Sequence, residues 1–470
     1  MLDKDRLFPA ESGVARRVAQ ALYETVKGLP IVSPHGHTDP RWFADNKSFP
    51  DPAALFIQPD HYVFRMLYSQ GVSLESLGVP QQGTNSGEAV RVDPREVWRI
   101  FARHYYLFRG TPTRLWLDHS FETLFGLTER LSEANADTFY DVIAAKLKTP
   151  EFLPRALYER FGIEVLATTD AAVDSLEHHR AIRDSGWKGR VLPTFRPDAV
   201  IDAEYAGFRE NLEALGTLTG EDVSGWNGYL RALRSRRQFF IANGATATDH
   251  GHLTAMTADL SPVDAAKLYG RIFSGHLEAG DVELFQAQML TEMAGMSVED
   301  GLVMQLHPGS IRNHNLKVYE KFGRDKGADI PSPTEYVRSL RPLLTKYGND
   351  PRLTLIVFTL DETSYSRELA PLAGHYPALR LGPPWWFHDS PEGMMRFREQ
   401  ATETAGFYNT VGFNDDTRAF LSIPARHDVA RRVDCAFLGR LVAEGRLDED
   451  EAFEVAKELT VGLVKRAYKL

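Results

Sequence analysis

The chain has almost no cysteine. Cys435 is the only thiol in 470 residues, so no intramolecular disulfide can form and a reducing compartment suits the protein. Cys435 lies in an apolar helical stretch, which reads as a buried core thiol rather than a nucleophile. Long apolar runs are missing as well: no stretch reaches about 18 residues, so no membrane span is expected. Behind Met1-Leu2-Asp3-Lys4-Asp5-Arg6 there is no apolar core of signal-peptide length. These absences point to a cytoplasmic protein with no membrane partner. Excess positive charge is lacking too. A net charge of −10 and a pI near 5.9 argue against a nucleic-acid partner. They leave room for a small anionic substrate, which one or two local arginines can hold. There is no internal repeat or low-complexity segment, and no Gly/Ser/Pro-rich linker flanks residues 42–160. The oligomeric state stays open, a homo-oligomer included.

What is present describes an ordinary globular protein, with 43% hydrophobic and 25% charged residues. A first helix is expected over residues 12–27, capped by Ser12, with Val14, Val18, Leu22 and Val26 on one face. Strand candidates follow at 31–33, 164–166, 190–193, 245–248, 303–306, 353–358, 378–381 and 408–412. Apolar strands alternating with helices imply a parallel sheet, and eight such units over this length fit a TIM barrel. An open doubly wound sheet is the alternative, but no Gly-x-Gly-x-x-Gly follows the first strand. Residues 42–160 carry helical, aromatic-rich sequence without a convincing strand. The fold expected is therefore α/β, a (β/α)8 barrel with a helical insertion between strands one and two. Residues 1–41 would hold the N-terminal helix and first strand, 42–160 the insertion, and 161–470 the rest of the barrel and the C-terminal helices.

His35-Gly36-His37 ends the first strand. Side chains at i and i+2 of an extended strand point the same way, so two imidazoles can meet one metal ion. The other strand ends are also polar. Strand two leads into Thr168-Thr169-Asp170, strand three into Arg196-Pro197-Asp198, strand four into Asp249-His250 and strand five into His307; strand eight leads into Asn414-Asp415-Asp416-Thr417-Arg418. Singly, each has a plain structural reading. Asp170 reads best as a helix N-cap, and Arg196 as a surface ion pair. Asp249-His250 reads equally as a turn with a supporting hydrogen bond. His178-His179 reads as the outer face of a helix, and spacing alone lets Asp415 replace Asp416 as a ligand. In a barrel, however, these ends converge on one mouth, where two histidines and a distant carboxylate make an open metal site.

The same residues resemble the uronate isomerase (glucuronate isomerase) family, an outlying branch of the amidohydrolase superfamily. The likeness runs nearly end to end. It rests on the His-x-His, Asp60-His61-Tyr62, Thr168-Thr169-Asp170 with Asp174-Ser175-Leu176-Glu177-His178-His179, and Val191-Leu192-Pro193 with Arg196-Pro197-Asp198. It continues through His307 with Arg312-Asn313, Trp385-Trp386-Phe387 with Asp389, Asp416-Thr417-Arg418, and Arg426-His427. The resemblance implies a barrel enzyme that interconverts D-glucuronate with D-fructuronate and D-galacturonate with D-tagaturonate. It implies one divalent metal, usually zinc, on His35, His37 and Asp416. It places Asp416 as the base between C2 and C1, Tyr62 as a shuttle between O1 and O2, Arg418 on the developing oxyanion, and His61 beside them. The hexuronate would also meet Arg196 as a second carboxylate clamp, His307, and a wall of Trp385 and Trp386, although the two tryptophans read equally as plain barrel packing. Gly36 stands where the family often has cysteine, at a position expected to point away from the metal. Hydrolase relatives often end strand six in a metal-binding histidine and strand four in a bridging lysine. Here strand six runs into Thr359-Leu360-Asp361 and strand four ends with Asp249, so the resemblance disfavours a binuclear hydrolase site. The competing readings are a mononuclear hydrolase, in which Asp416 deprotonates a metal-bound water, and a sugar-acid binding protein with no need of a base.

Overall fold

Six helices open with the same local grammar: Asp39-Pro40, Asp51-Pro52, Asp93-Pro94, Thr111-Pro112, Ser261-Pro262 and Ser390-Pro391. In each, the capping oxygen accepts a first-turn N–H and proline takes the position whose N–H would go unused. The computed structural model describes residues 2–82 and 92–470. Its first helix, Val14–Val26, begins later than expected, after Gly13, and Ser12 does not cap it. Val18, Leu22 and Val26 are buried, but Val14 in the first turn is 49% exposed.

The first strand, Ile31–Ser33, pairs in parallel with the second, Ile163–Ala167, which resumes at Asp170–Ala171. The third, Val191–Leu192, resumes at Phe195–Arg196. The break between the two sheet segments is bridged by Thr168 N–H to Leu192 O at 2.9 Å and Asp170 N–H to Thr194 O at 3.0 Å. Parallel pairing then continues through Ala247–His250, Val303–Leu306, Leu355–Val357 and Leu379–Leu381. The eighth position is not the regular strand expected at 408–412. Among the described residues it makes one parallel bridge, Leu381 with Thr410, and its carbonyl at Asn409 accepts from Leu381 N–H at 2.9 Å. Gly412 explains the interruption: its φ is +79°, and a Cβ there would stand 2.4 Å from Val464 of the C-terminal helix. At the mouth, His37 N–H reaches Thr417 O at 3.1 Å and ties the eighth segment to the first strand. The architecture is a (β/α)8 barrel.

Between strands one and two, the described residues form helices and no strand, from Pro40–Asp45 to Pro154–Arg160. Part of that expected insertion, residues 83–91, lies outside the described residues. Its aromatic residues Phe56, Trp98, Phe101 and Phe121 share one apolar cluster with Ile31, Ile163 and Leu166 of the strands. The insertion thus packs into the barrel rather than standing on a linker. Inside the barrel, Val32, Val165, Val303, Ile356 and Val411 meet Val464 and Tyr468 from the C-terminal segment. The Tyr468 hydroxyl donates to Gln305 Oε1 at 2.9 Å and accepts from Asn414 Nδ2 at 2.6 Å. That segment fills one end of the barrel and leaves the other for chemistry. Among the described residues, no helix is long and apolar enough to cross a membrane.

Asp170 is not an N-cap. It belongs to the second strand, and the following helix, Glu177–Asp184, starts after Leu176. Asp170 Oδ2 accepts from the Thr168 hydroxyl at 2.7 Å, which also meets His179 Nε2 at 2.8 Å. His179 is therefore buried against the sheet, while its neighbour His178 faces outward.

Candidate metal centre and active-site cavity

The C-terminal ends of the strands open into a cavity of about 1020 Å³ lined by His35, His37, Arg196, Asp249, His307 and Asp416. The imidazoles of His35 and His37 are edge to face, with centroids 5.4 Å apart. Gly36 between them faces elsewhere: a Cβ there would meet Ala167 O at 3.5 Å and Asp415 Oδ1 at 3.6 Å. Asp416 comes from the eighth segment with φ of +39°, a left-handed conformation uncommon outside glycine. Its Oδ1 lies 3.4 Å from His35 Nε2 and 3.1 Å from His37 Nε2. That oxygen is buried without a hydrogen-bond partner. Lone pairs of two nitrogens and one oxygen thus converge with no proton satisfying the oxygen, as a cation requires. The donor set fits a divalent metal. Asp415 turns away, its Oδ2 on His427 Nε2 at 3.0 Å.

The charges follow the same geometry. Burial works to raise Asp416, but His35 and His37 hold it well below the usual carboxylate range. Burial also works against charge on His35, and the Asp416 and Asp249 carboxylates outweigh it, raising its pKa. On His37 burial prevails and the pKa falls.

Arg196 is not a surface ion pair. Its Nε donates to Asp198 Oδ2 at 2.7 Å, and its Nη1 stands 3.3 Å from Asp249 Oδ2. Gly251 makes room for it, since a Cβ there would fall 2.3 Å from Arg196 Nη2. The other Asp249 oxygen meets His307 Nδ1 at 2.6 Å. Burial opposes ionisation of Asp249, yet Arg196 and His307 keep it well below the usual range. His35, Asp249 and His307 form a second group with metal-ligand spacing. Both Asp249 oxygens already have partners, Arg196 on one and His307 on the other. His307 stacks between His35, at 4.6 Å, and Phe358, at 3.9 Å, leaving its Nε2 without a partner.

The facing wall comes from the insertion and two loops. Asp60 caps the helix His61–Tyr68 by accepting from Tyr62 N–H at 2.8 Å, which sets His61 and Tyr62 in its first turn at the cavity. Burial, then the Arg418 charge, pushes His61 down to about 3, so its imidazole stays neutral. The Tyr62 hydroxyl donates to Trp386 O at 2.7 Å, with Asp389 Oδ2 at 3.3 Å. Burial, then Asp389, holds the phenol well above its usual range and keeps it protonated. Burial likewise raises Asp389 to about 6 although Arg426 donates to it at 2.7 Å. Trp385 and Trp386 line the cavity and also pack into the core with Phe358 and Leu360. Arg418 reaches the cavity half-exposed, with Asp325 3.4 Å away.

All the expected site residues therefore line one cavity. Asp325 escaped the sequence reading because Arg324-Asp325-Lys326 looks like any solvated charged loop. Asp389 and Arg426 stood in matching segments without a role, since no spacing rule connects them to Tyr62.

A model of the glucuronate isomerase family matches residues 10–466. The chain is 63% identical over 470 residues to the uronate isomerase of Xanthomonas campestris pv. campestris (strain B100), covering 100% of this chain and 99% of that one. It is similar to the crystal structure of glucuronate isomerase from Caulobacter crescentus, with TM-score 0.97, 61% identity, and coverage of 100% and 97%. The uronate isomerase structure from Thermotoga maritima matches with TM-score 0.91 at 30% identity, covering 100% of this chain and 99% of that one.

Proposed function

Because the chain belongs to the glucuronate isomerase family, we propose that it interconverts D-glucuronate with D-fructuronate and D-galacturonate with D-tagaturonate, using one zinc ion on His35, His37 and Asp416. The enzyme is an aldose–ketose isomerase. A cation at this donor set supplies fixed positive charge for the C6 carboxylate and C5 hydroxyl of the sugar acid. Arg196, held cationic by Asp198 and Asp249, is the second clamp on the carboxylate. Asp416, ionised between its two histidines, is the base that carries the proton from C2 to C1. Tyr62, protonated and hydrogen-bonded, moves the hydroxyl proton between O2 and O1. Arg418 faces the charge that develops on the enediolate. Neutral His61, the free Nε2 of His307 and the Trp385–Trp386 wall complete the contacts to the substrate.

The observation that carries this reading is the convergence of the His35–His37–Asp416 donors with Tyr62 and Arg418 on one cavity. We place residues 1–41 as the N-terminal helix and first strand, 42–160 as the insertion, and 161–470 as the remaining barrel and C-terminal helices. The protein's place is the cytoplasm; its partner is a small hexuronate rather than nucleic acid or membrane, and it can act within a homo-oligomer. Ketose formation from D-glucuronate and D-galacturonate tests the proposal, alongside metal analysis for one zinc per chain. Ketose as the sole product from both substrates is expected. Release of a second product, as hydrolysis requires, or no turnover of either uronate would contradict it.

A further inference from the structure

Tyr62 starts as an acceptor toward the cavity. A phenol has one proton, and here it is donated to the Trp386 carbonyl at 2.7 Å. A shuttle in that state can take the O2 proton only if its own proton has somewhere to go. The Trp386 carbonyl oxygen is too weak a base to keep it. Asp389 Oδ2, 3.3 Å from the same hydroxyl, is not. This carboxylate is 4% exposed and remote from the metal donors in sequence. Its other partner is Arg426, 1% exposed, which donates to Asp389 Oδ2 at 2.7 Å and to Asp415 O at 3.2 Å. The guanidinium lies 3.5 Å from the Trp116 ring centroid and cannot swing away. The group is thus a carboxylate with a buried counter-charge, in hydrogen-bond reach of the Tyr62 phenol at the cavity wall.

We propose that Asp389 holds the hydroxyl proton in transit through Tyr62. The inference rests on Tyr62 being the O1–O2 shuttle. As the substrate O2–H bond breaks, a new Tyr62 O–H bond forms and the original phenol proton passes to Asp389 Oδ2. In the return step Asp389 gives that proton back, and Tyr62 releases one to form the O1–H bond. No net proton is gained or lost, and no redox partner is needed. Asp389 acts through Tyr62 without touching the sugar, so it is a positioning and proton-holding residue. Arg426 also binds the segment just before Asp416 and keeps Tyr62 in register with the base.

The test is a cycle of D389N, Y62F and their double variant, each as zinc-loaded enzyme. D389N keeps the shape and can still accept from Arg426, but cannot take the proton. It should lower kcat by roughly tenfold to a hundredfold, with KM and metal content unchanged and a larger solvent isotope effect on kcat. In the Y62F background the same change should cost less than about twofold, because the two residues act as one unit. An equal loss in both backgrounds, or a shift in KM or metal content with kcat intact, would mean a merely structural role and overturn the proposal. A slow Y62F with D389N at the wild-type rate overturns this inference alone. A near-normal Y62F overturns the shuttle assignment and this inference with it.

Discussion

One wall of the cavity stands on strand ends: His35 and His37 after the first strand, Asp249 in the fourth and His307 after the fifth, with backbones near ladder hydrogen bonds. The opposite wall is assembled from distant pieces, with Tyr62 on an insertion helix, Trp386 after the seventh strand, and Arg418 beyond the eighth, while Asp389 stands behind Tyr62. On the first wall every buried charge has an opposite partner, as Arg196 has Asp198 and Asp249. On the second, Trp386 has φ of +52°, and side-chain bonds to backbone carbonyls hold the parts together. Asp416 joins the two walls, itself at φ of +39°. The difference separates the tasks. In the proposed mechanism the strand ends hold the anion, the assembled wall carries the O2–O1 shuttle and the charge facing the enediolate, and Asp416 between them takes the C2 proton.

The sharpest way to break that division is to remove the metal donors. A His35→Ala/His37→Ala variant should lose both bound metal and essentially all turnover, measured by metal analysis and ketose formation. Tight metal binding in that variant would remove the strand-end wall from its role. Next in size is Tyr62→Phe, which should lower kcat by about 10²–10⁴-fold while metal content stays at the wild-type level. Loss of metal there would mean the walls do not act separately.

The first wall was largely legible in the sequence and the second much less so. A strand has a period of two, so His35-Gly36-His37 announces its own geometry, and an ending such as Asp249 or His307 needs only the barrel to place it. Asp170 shows the limit of that logic. It follows Thr169 at the same strand end, yet it faces the helix side, because neighbouring strand residues point to opposite faces. Tyr62 was legible only through family resemblance, and the functions of Asp389 and Arg426 were not legible at all. Their contacts join residues 327 and 37 positions apart in the chain, and no local pattern records such a meeting. The eighth strand was misjudged for a related reason: the β-branched run is there, but Val464 packs where a Cβ at Gly412 would sit.

Smaller effects sharpen the comparison. Asp325→Asn removes the exposed partner of Arg418, and kcat/KM should change by no more than about fivefold, as exposed ion pairs are weak. A hundredfold loss would make Asp325 part of the machinery. The least effect on turnover is expected for Asp170→Asn, on the helix side of its strand. Burial raises Asp170 to about 7 from 3.8, so its folded state holds the proton more tightly than the unfolded chain. Its stabilising contribution is full below the unfolded value and is lost as pH rises through about 7. Wild-type melting temperature should therefore fall more between pH 5 and pH 8 than that of Asp170→Asn, with kcat similar in both. An equal fall would mean that Asp170 is ionised throughout.

The most direct test follows the proton at C2 in Asp416→Asn, assayed at saturating zinc with its metal content measured alongside. Aldose deuterated at C2 should show slowed turnover in the wild type where C–H cleavage limits the rate, and some label should reach C1 of the ketose. The variant should lose exchange at C2 together with isomerisation, even where it still binds metal. Near-normal exchange at C2 in metal-loaded Asp416→Asn would contradict the account, because another group would then be taking the proton.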